Sequence, residues 1–364
     1  GMTRTNQAFL TGIFRAAVGA VDPEELVFRH LATVEGAPVL VRGGRVLLRL
    51  DDGGIWLVAA GKAAAGMALA AVDLVGDRLE GGVVVAPEVS EGLPKIVRCY
   101  RGGHPLPDRS SHAAGRATWE MIGRARAPDT VLVLLSGGAS SLLALPAAGI
   151  RLRDKVRVTG LLLRAGARIA EVNAVRKHLS RLKGGGLARR AGRARVVCLL
   201  LSDVIGSSPA VIGSGPAAAD PSTFADACEV LRRYDIEERV PPAVRRHLER
   251  GRSGAIRETL KPGEGGARHV ILGDVRAALA AASAEARRLG AEPRILTASL
   301  HGDTDLAARR FAAEVLRCAV RARHDVCLLA GGETTVDVRG PGRGGRNQQF
   351  AMVVAREISG AKGI

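Results

Sequence analysis

Four short turns gather the groups in this 364-residue chain that could bind or activate a small anionic molecule. Each follows a short apolar run, and in open α/β sheets ligands collect just beyond the carboxyl ends of the strands. In Ala60-Gly61-Lys62-Ala63, the glycine turn would leave amides and a lysine facing an anion at a helix start. It is not a Walker A loop, which needs glycine where Trp56 stands and Ser or Thr where Ala63 stands. A solvated lysine at a helix start is the other reading. In Ser136-Gly137-Gly138-Ala139-Ser140-Ser141, successive amides and serine hydroxyls suit a phosphate or carboxylate, unless the segment is an ordinary βα turn. Ser202-Asp203 offers a carboxylate that could bind magnesium or take a hydroxyl proton, or simply cap a helix.

The fourth pair is Gly331-Gly332-Glu333-Thr334-Thr335 and Gly340 to Asn347. The latter holds Gly340-x-Gly342-x-x-Gly345, followed by Arg346 at the start of an expected helix. Only 19 residues follow Gly345, too few for the rest of a βαβ unit and the acidic ribose ligand of a dinucleotide fold. An arginine at a helix N-terminus beside glycines still suits a triphosphate or a developing phosphoryl charge. His104 and His301 fall in loops and His178 on a helix; none reads as a catalytic base. No GxSxG elbow and no HExxH motif occurs, so hydrolase chemistry has little support.

The elements that must hold these turns alternate. Asp22-Pro23-Glu24-Glu25 starts a helix of about a dozen residues, with proline at the first helical position and acids in the first turn. Ile55–Ala60, Val83–Ala86, Val131–Leu135 and Val196–Leu201 read as buried strands. From about Asp154 to Leu182 the pattern is helical, broken between Gly166 and Asn173 and closed by Gly184-Gly185-Gly186. Tyr234 to Arg268 is charged and proline-bearing, which places a domain boundary there. Beyond it follow His269–Gly273, a helix over 275–289, Arg294–Ser299, a helix over 305–322, Val326–Ala330 and a helix over 347–357. The expected fold class is α/β: two three-layer α/β domains, 1–262 and 263–364, with mostly parallel sheets and a cleft between them.

Composition limits the alternatives. The chain is 47% hydrophobic and 3% aromatic, the profile of helices packed on buried parallel strands. Its apolar runs are far shorter than the roughly 20 residues of a membrane-spanning helix, so no membrane partner is expected. Gly1 before Met2 reads as a residue left by protease cleavage and is set aside. The five cysteines are odd in number and never at CxxC spacing, so neither a disulfide framework nor a zinc site is indicated, and a reducing, cytoplasmic location fits. The net charge of +17 is spread over the chain without an aromatic platform, so nucleic acid is not expected as a partner. A diffuse positive field would steer small anions toward a cleft.

Together, Ala60-Gly61-Lys62, Gly102-Gly103-His104-Pro105, Leu135 to Ser141, Asn173-Ala174-Val175-Arg176-Lys177-His178-Leu179-Ser180, Leu201 to Gly206, Ala330 to Thr334 and Gly345-Arg346-Asn347-Gln348 resemble the type-two glycerate kinases, whose C-terminal part is called the MOFRL domain. The resemblance implies transfer of the ATP γ-phosphoryl group to D-glycerate, giving 2-phosphoglycerate, with ATP and Mg2+ as cofactors. It implies roles for Lys62 and Arg346 as charge stabilisers and for Asp203 on the metal or the substrate hydroxyl. Ser136, Gly137, Gly138, Ala139, Ser140 and Lys177 would take the substrate; Gly61, Gly331, Gly332, Glu333, Thr334, Gly345 and Asn347 would take the nucleotide. A homodimer is compatible with this reading.

The sequence departs from the family pattern at three places. Members continue past Gly-Arg-Asn-Gln through repeated Asp-Gly and Thr-Asp, so the C-terminal domain is expected to be truncated at its end, with a less complete nucleotide or metal site. Ser207-Ser208 stand where an acidic pair is expected, and Gln349 where a glutamate is; both would weaken metal affinity. The competing expectations are a hydroxypyruvate reductase using NAD(P)H, which the lack of a dinucleotide unit opposes, and a protein that binds a sugar acid or nucleotide without turnover.

Overall fold

The computed structural model describes residues 4–50, 52–88, 91–202, 206, 208–337 and 343–364. The chain divides into two compact units. The larger comprises Pro23–Leu201 and Ser207–Leu272; the smaller joins Gly1–Asp22 and Ser202–Gly206 to Gly273–Ile364. The architecture is α/β, with mostly parallel strands.

After α1 (Arg4–Gly19), which belongs to the smaller unit, the larger unit opens with α2 (Pro23–His30). This helix has eight residues rather than about a dozen, because an antiparallel sheet begins at once. Its strands are β1 (Leu31–Val34), β2 (Ala37–Arg42) and β3 (Arg45–Arg49). Two-residue loops join them: Glu35 and Gly36 have φ of 53° and 76°, Gly43 and Gly44 of 56° and 75°. Two consecutive left-handed residues are what a tight hairpin needs to follow the strand twist, and this small sheet is an addition to the expected elements.

The central sheet has six strands: β4 (Ile55–Ala60), β5 (Leu79–Ala86), β6 (Val97–Arg101), β7 (Thr130–Leu135), β8 (Arg195–Leu201) and β9 (Arg268–Gly273). Helices α3 (Ala64–Val75), α4 (Arg109–Ile122), α5 (Ala139–Leu142), α6 (Leu152–Arg164), α7 (Ile169–His178), α8 (Gly186–Ala191), α9 (Phe224–Arg233) and α10 (Pro242–Arg252) complete the unit. All six residues of β4 and of β7 are buried, so both faces of the sheet are covered and the strands read as unbroken apolar runs. The strand order is β6-β5-β4-β7-β8-β9. The chain thus builds outward from β4 to β6, then crosses back to place β7 on the other side of β4. That reversal is a topological switch point, the place in an open sheet where adjoining loops part and leave a crevice.

The expected break in the long helical stretch falls at Gly166, whose φ is 77°, between α6 and α7. The glycines 184–186 do not stop α7, which already ends at His178. They serve close packing instead: a Cβ on Gly185 would overlap the Leu260 side chain. Within the charged stretch 234–268, α10 buries Val244 and Leu248 in a cluster shared with Phe224 and Leu231 of α9 and Val172 and Val175 of α7.

In the smaller unit, β10 (Glu292–Leu300) and β11 (Val326–Gly332) form a parallel pair, with α11 (Val275–Arg288), α12 (Thr304–Arg321) and α13 (Arg346–Glu357). Ile13 of α1 joins Ala282 and Ala286 of α11 and Cys327 of β11 in one buried cluster, which ties the start of the chain to this unit.

Candidate active site

At the switch point, the turns after β4 and β7 are bonded to one another. The Lys62 amide donates to the Gly137 carbonyl at 2.8 Å, and the Ala63 amide to Ser136 Oγ at 3.0 Å. Gly61 is required there: its φ is 135°, and a Cβ would overlap Ser136 Oγ. With the backbone pinned in this way, the Lys62 side chain is left exposed. Gly138, with φ of 85°, starts α5, and the His104 ring packs on it so closely that a Cβ would lie 2.8 Å from His104 Cδ2. The loop carrying His104 is held by the Gly103 amide donating to Ser111 Oγ at 3.0 Å.

Behind this turn lies a layer of cations that the sequence motifs do not mark as ligand-binding. Arg176 Nη2 donates to Ser140 Oγ at 2.6 Å, and Lys183 Nζ donates to the Ser140 carbonyl at 2.9 Å, to Ser140 Oγ at 3.1 Å and to the Gly213 carbonyl at 3.2 Å. Ser214 Oγ lies 2.8 Å from Ser140 Oγ and donates to Asn173 Oδ1 at 3.2 Å. Arg and Lys can only donate, so they occupy the acceptor positions of the Ser140 hydroxyl and direct its hydrogen to Ser214. The hydroxyl expected to face a ligand is therefore turned inward. Lys183 is 2% exposed and Lys155, on α6, 4%, and Lys155 Nζ has no hydrogen-bond partner.

Burial pushes Lys155 down to about 7, with the Arg176 charge adding to the effect. Burial, then Lys155 and Arg176, hold Lys183 well below the ordinary lysine range. A lysine lowered by folding is charged in both states below its folded value. Above that value the unfolded chain still binds a proton that the native chain does not, so stability rises with pH. Lys155→Met is therefore expected to be more stable than the parent at pH 7, with the gap narrowing by up to about 1.4 kcal/mol per pH unit toward pH 9. Urea denaturation of both proteins at three pH values reads this; a gap that is constant or widens would show that Lys155 is not charged against a cost.

Lys177, adjacent in sequence to Arg176, is 7% exposed, and its Nζ lies 3.1 Å from Asp220 Oδ1. Burial alone would raise the Asp220 carboxyl, but the Lys177 ammonium and the Ser222 hydroxyl outweigh it and hold it below the usual carboxylate range. Next to it, the His178 ring bridges the Ala174 carbonyl, 2.7 Å from Nδ1, and Glu258 Oε2, 3.0 Å from Nε2.

The candidates in the smaller unit also converge. Gly331 and Gly332 end β11; a Cβ on Gly331 would overlap Val275, and one on Gly332 the backbone of Leu300. The Glu333 amide donates to the Leu300 carbonyl at 2.8 Å, and Thr334 is buried with its Oγ1 2.9 Å from Thr304 Oγ1. Gly345 caps α13, whose first residues are Arg346 and Asn347. The Arg346 guanidinium pairs with the Glu333 carboxylate and reaches the Thr334 carbonyl at 3.5 Å. Gln349 Nε2 donates to Asp305 Oδ1 at 2.9 Å.

Asp203, Gly340 and Gly342 lie outside the described residues. Among the described residues no group of three or more His, Cys, Asp or Glu could hold a metal ion. Magnesium in phosphoryl-transfer sites rests on one or two carboxylates plus the phosphates of the nucleotide, a demand that a metal arriving with its nucleotide satisfies without such a group. No described helix is long and apolar enough to cross a membrane, and the five cysteines are free thiols.

Fold and turns together define a two-unit α/β protein with glycine-rich turns at strand ends. A model described as a domain of unknown function (DUF4147) matches residues 9–249, and the MOFRL family model matches residues 326–364. The glycerate 2-kinase of Pyrococcus horikoshii is 38% identical over 94% of this chain and 77% of its own length. The D-glycerate 2-kinase of Thermotoga maritima is 39% identical over 94% of this chain and 82% of its own. The crystal structure of the Thermotoga maritima glycerate kinase superposes with a TM-score of 0.83 at 35% identity, over 99% of this chain and 82% of that one. The chain belongs to the type-two glycerate kinase family with a MOFRL domain.

Proposed function

We propose that the protein transfers the γ-phosphoryl group of ATP to the 2-hydroxyl of D-glycerate, giving 2-phosphoglycerate and ADP. One observation carries this reading: at the switch point of the larger sheet, the Lys62 turn and the Ser136–Ser140 turn are bonded side by side, which sets an exposed lysine beside a glycine-rich turn. In the reaction the hydroxyl oxygen bonds to the γ-phosphorus, the bond to the β–γ bridging oxygen breaks, and the hydroxyl proton leaves. Such transfer needs positioning and charge stabilisation more than covalent participation by the protein. Lys62 and Arg346 supply positive charge to the transferring group. The Ser136–Ser140 turn seats the acid, and Gly331–Thr334 with Gly345 and Asn347 seat the nucleotide. Asp203 takes the metal or orients the hydroxyl. Magnesium, when bound with ATP, would neutralise phosphate charge.

The test is purified protein with Mg2+, ATP and D-glycerate, followed by ADP release and by the position of the phosphate in the product. Formation of 2-phosphoglycerate is the expected result. No turnover, with neither ATP nor D-glycerate raising the melting temperature, would sink the reading.

A further inference from the structure

The cations behind Ser140, with Lys155 and Lys183 buried and Arg176 half-buried, exceed what the turn needs for its own geometry. Lys183 alone ties Ser140 to Gly213, and Arg176 adds a second anchor. The Lys155 ammonium has no hydrogen-bond partner, yet it is buried where its charge opposes those of Arg176 and Lys183. Burial and the other cations are the influences acting on the three groups, and no carboxylate appears among them. An ammonium kept unpaired beside two other cations is costly to the free protein, and the chemistry that would offset it is an anion. The half-buried residues Gly137, Gly138 and Ser140 form the turn that Arg176 and Lys183 hold through Ser140.

We propose that Lys155, Arg176 and Lys183 form the electropositive floor of a carboxylate site on the Gly137–Ser140 turn, which holds the acid end of a small hydroxy acid. This rests on the kinase reading and assigns its acceptor end. A phosphate group draws on several direct donors. Here Ser140 spends its hydrogen on Ser214 and Ser141 donates to the Gly138 carbonyl at 3.1 Å, so the turn offers backbone amides and a field from behind. That combination serves the two oxygens of a monoanion. Lys177, engaged by Asp220, lies outside this floor.

The experiment uses the full chain and Lys155→Met, a change that removes the charge without removing a hydrogen bond. Calorimetry measures binding of D-glycerate, of glycerol as the neutral counterpart, and of ATP. The parent is expected to bind D-glycerate and not glycerol. The variant is expected to bind D-glycerate about tenfold more weakly, ATP within about twofold of the parent, and to melt no lower when free. Unchanged D-glycerate affinity in the variant overturns the proposal, as does a loss confined to ATP, which would make this a phosphate site. The two readings fail separately. A parent that binds D-glycerate through Lys155 but never phosphorylates it keeps the site and removes the kinase. A parent that turns over D-glycerate with the same KM in Lys155→Met keeps the kinase and removes the site.

Discussion

Arg346→Ala is expected to lower kcat for ATP-dependent phosphorylation of D-glycerate by about a thousandfold while the fold stays intact. An arginine that meets the charge developing on a transferring phosphoryl group is worth at least about 10³ in rate. Its ground-state role is small by comparison. The guanidinium and Glu333 are each about two-fifths exposed, with side-chain values of 40% and 39%, and an ion pair so exposed contributes only about 0 to 1 kcal/mol. Loss of rate without loss of melting temperature therefore separates a charge-stabilising arginine from a structural one. Arg346→Lys keeps the charge but not the planar fork and should fall between the two. Lys62→Ala should behave alike, since the turn is held by the Lys62 amide and not by its side chain. A loss of less than tenfold in both variants would remove these residues from the transition state.

Lys177→Met is expected to cost about 3 to 5 kcal/mol of folding stability, because it strands a buried carboxylate. Asp220 is 1% exposed. Its Oδ1 accepts from Lys177 and from the amide and hydroxyl of Ser222 at 3.2 and 2.8 Å, and its Oδ2 has no partner. Without Lys177 the remaining donors are all neutral. Lys177→Met combined with Asp220→Leu should recover much of the loss, since an apolar pair of similar size carries no desolvation cost. Urea denaturation of the parent, both single variants and the double variant closes the cycle. Additive losses would show that the two side chains do not depend on one another.

The positions of Lys177 and Lys155 also show where the sequence stops being informative. Lys177 and Arg176 are neighbours in one motif and equally conspicuous. Along a helix, successive side chains point about 100° apart, whereas residues three apart share a face. Asn173 and Arg176 therefore reach the Ser214–Ser140 pair together, and Lys177 turns to Asp220, 43 residues later in the chain. Lys155 carries no signal of its own: in α6 it reads as one more basic residue of a strongly basic chain. Its burial near Arg176 appears only when α6 packs on α7.

The strands were legible for a different reason. Ile55–Ala60, Val131–Leu135 and Val196–Leu201 are apolar at nearly every position because both faces of a parallel sheet are covered, and local composition suffices to mark them. The hairpins at Glu35-Gly36 and Gly43-Gly44 carry positive φ at both loop residues, a weaker mark that is plain only beside the strands it joins. The sequence by itself determines the α/β class, the order of most elements and the glycine-rich turns, because each is written in residues adjacent along the chain. The strand reversal that bonds the Lys62 turn to the Ser136 turn, the inward direction of the Ser140 hydroxyl, and the convergence of Lys155, Arg176 and Lys183 arise only in the folded chain. They depend on contacts between residues dozens of positions apart, and packing rather than local preference sets which of several similar side chains meets which partner.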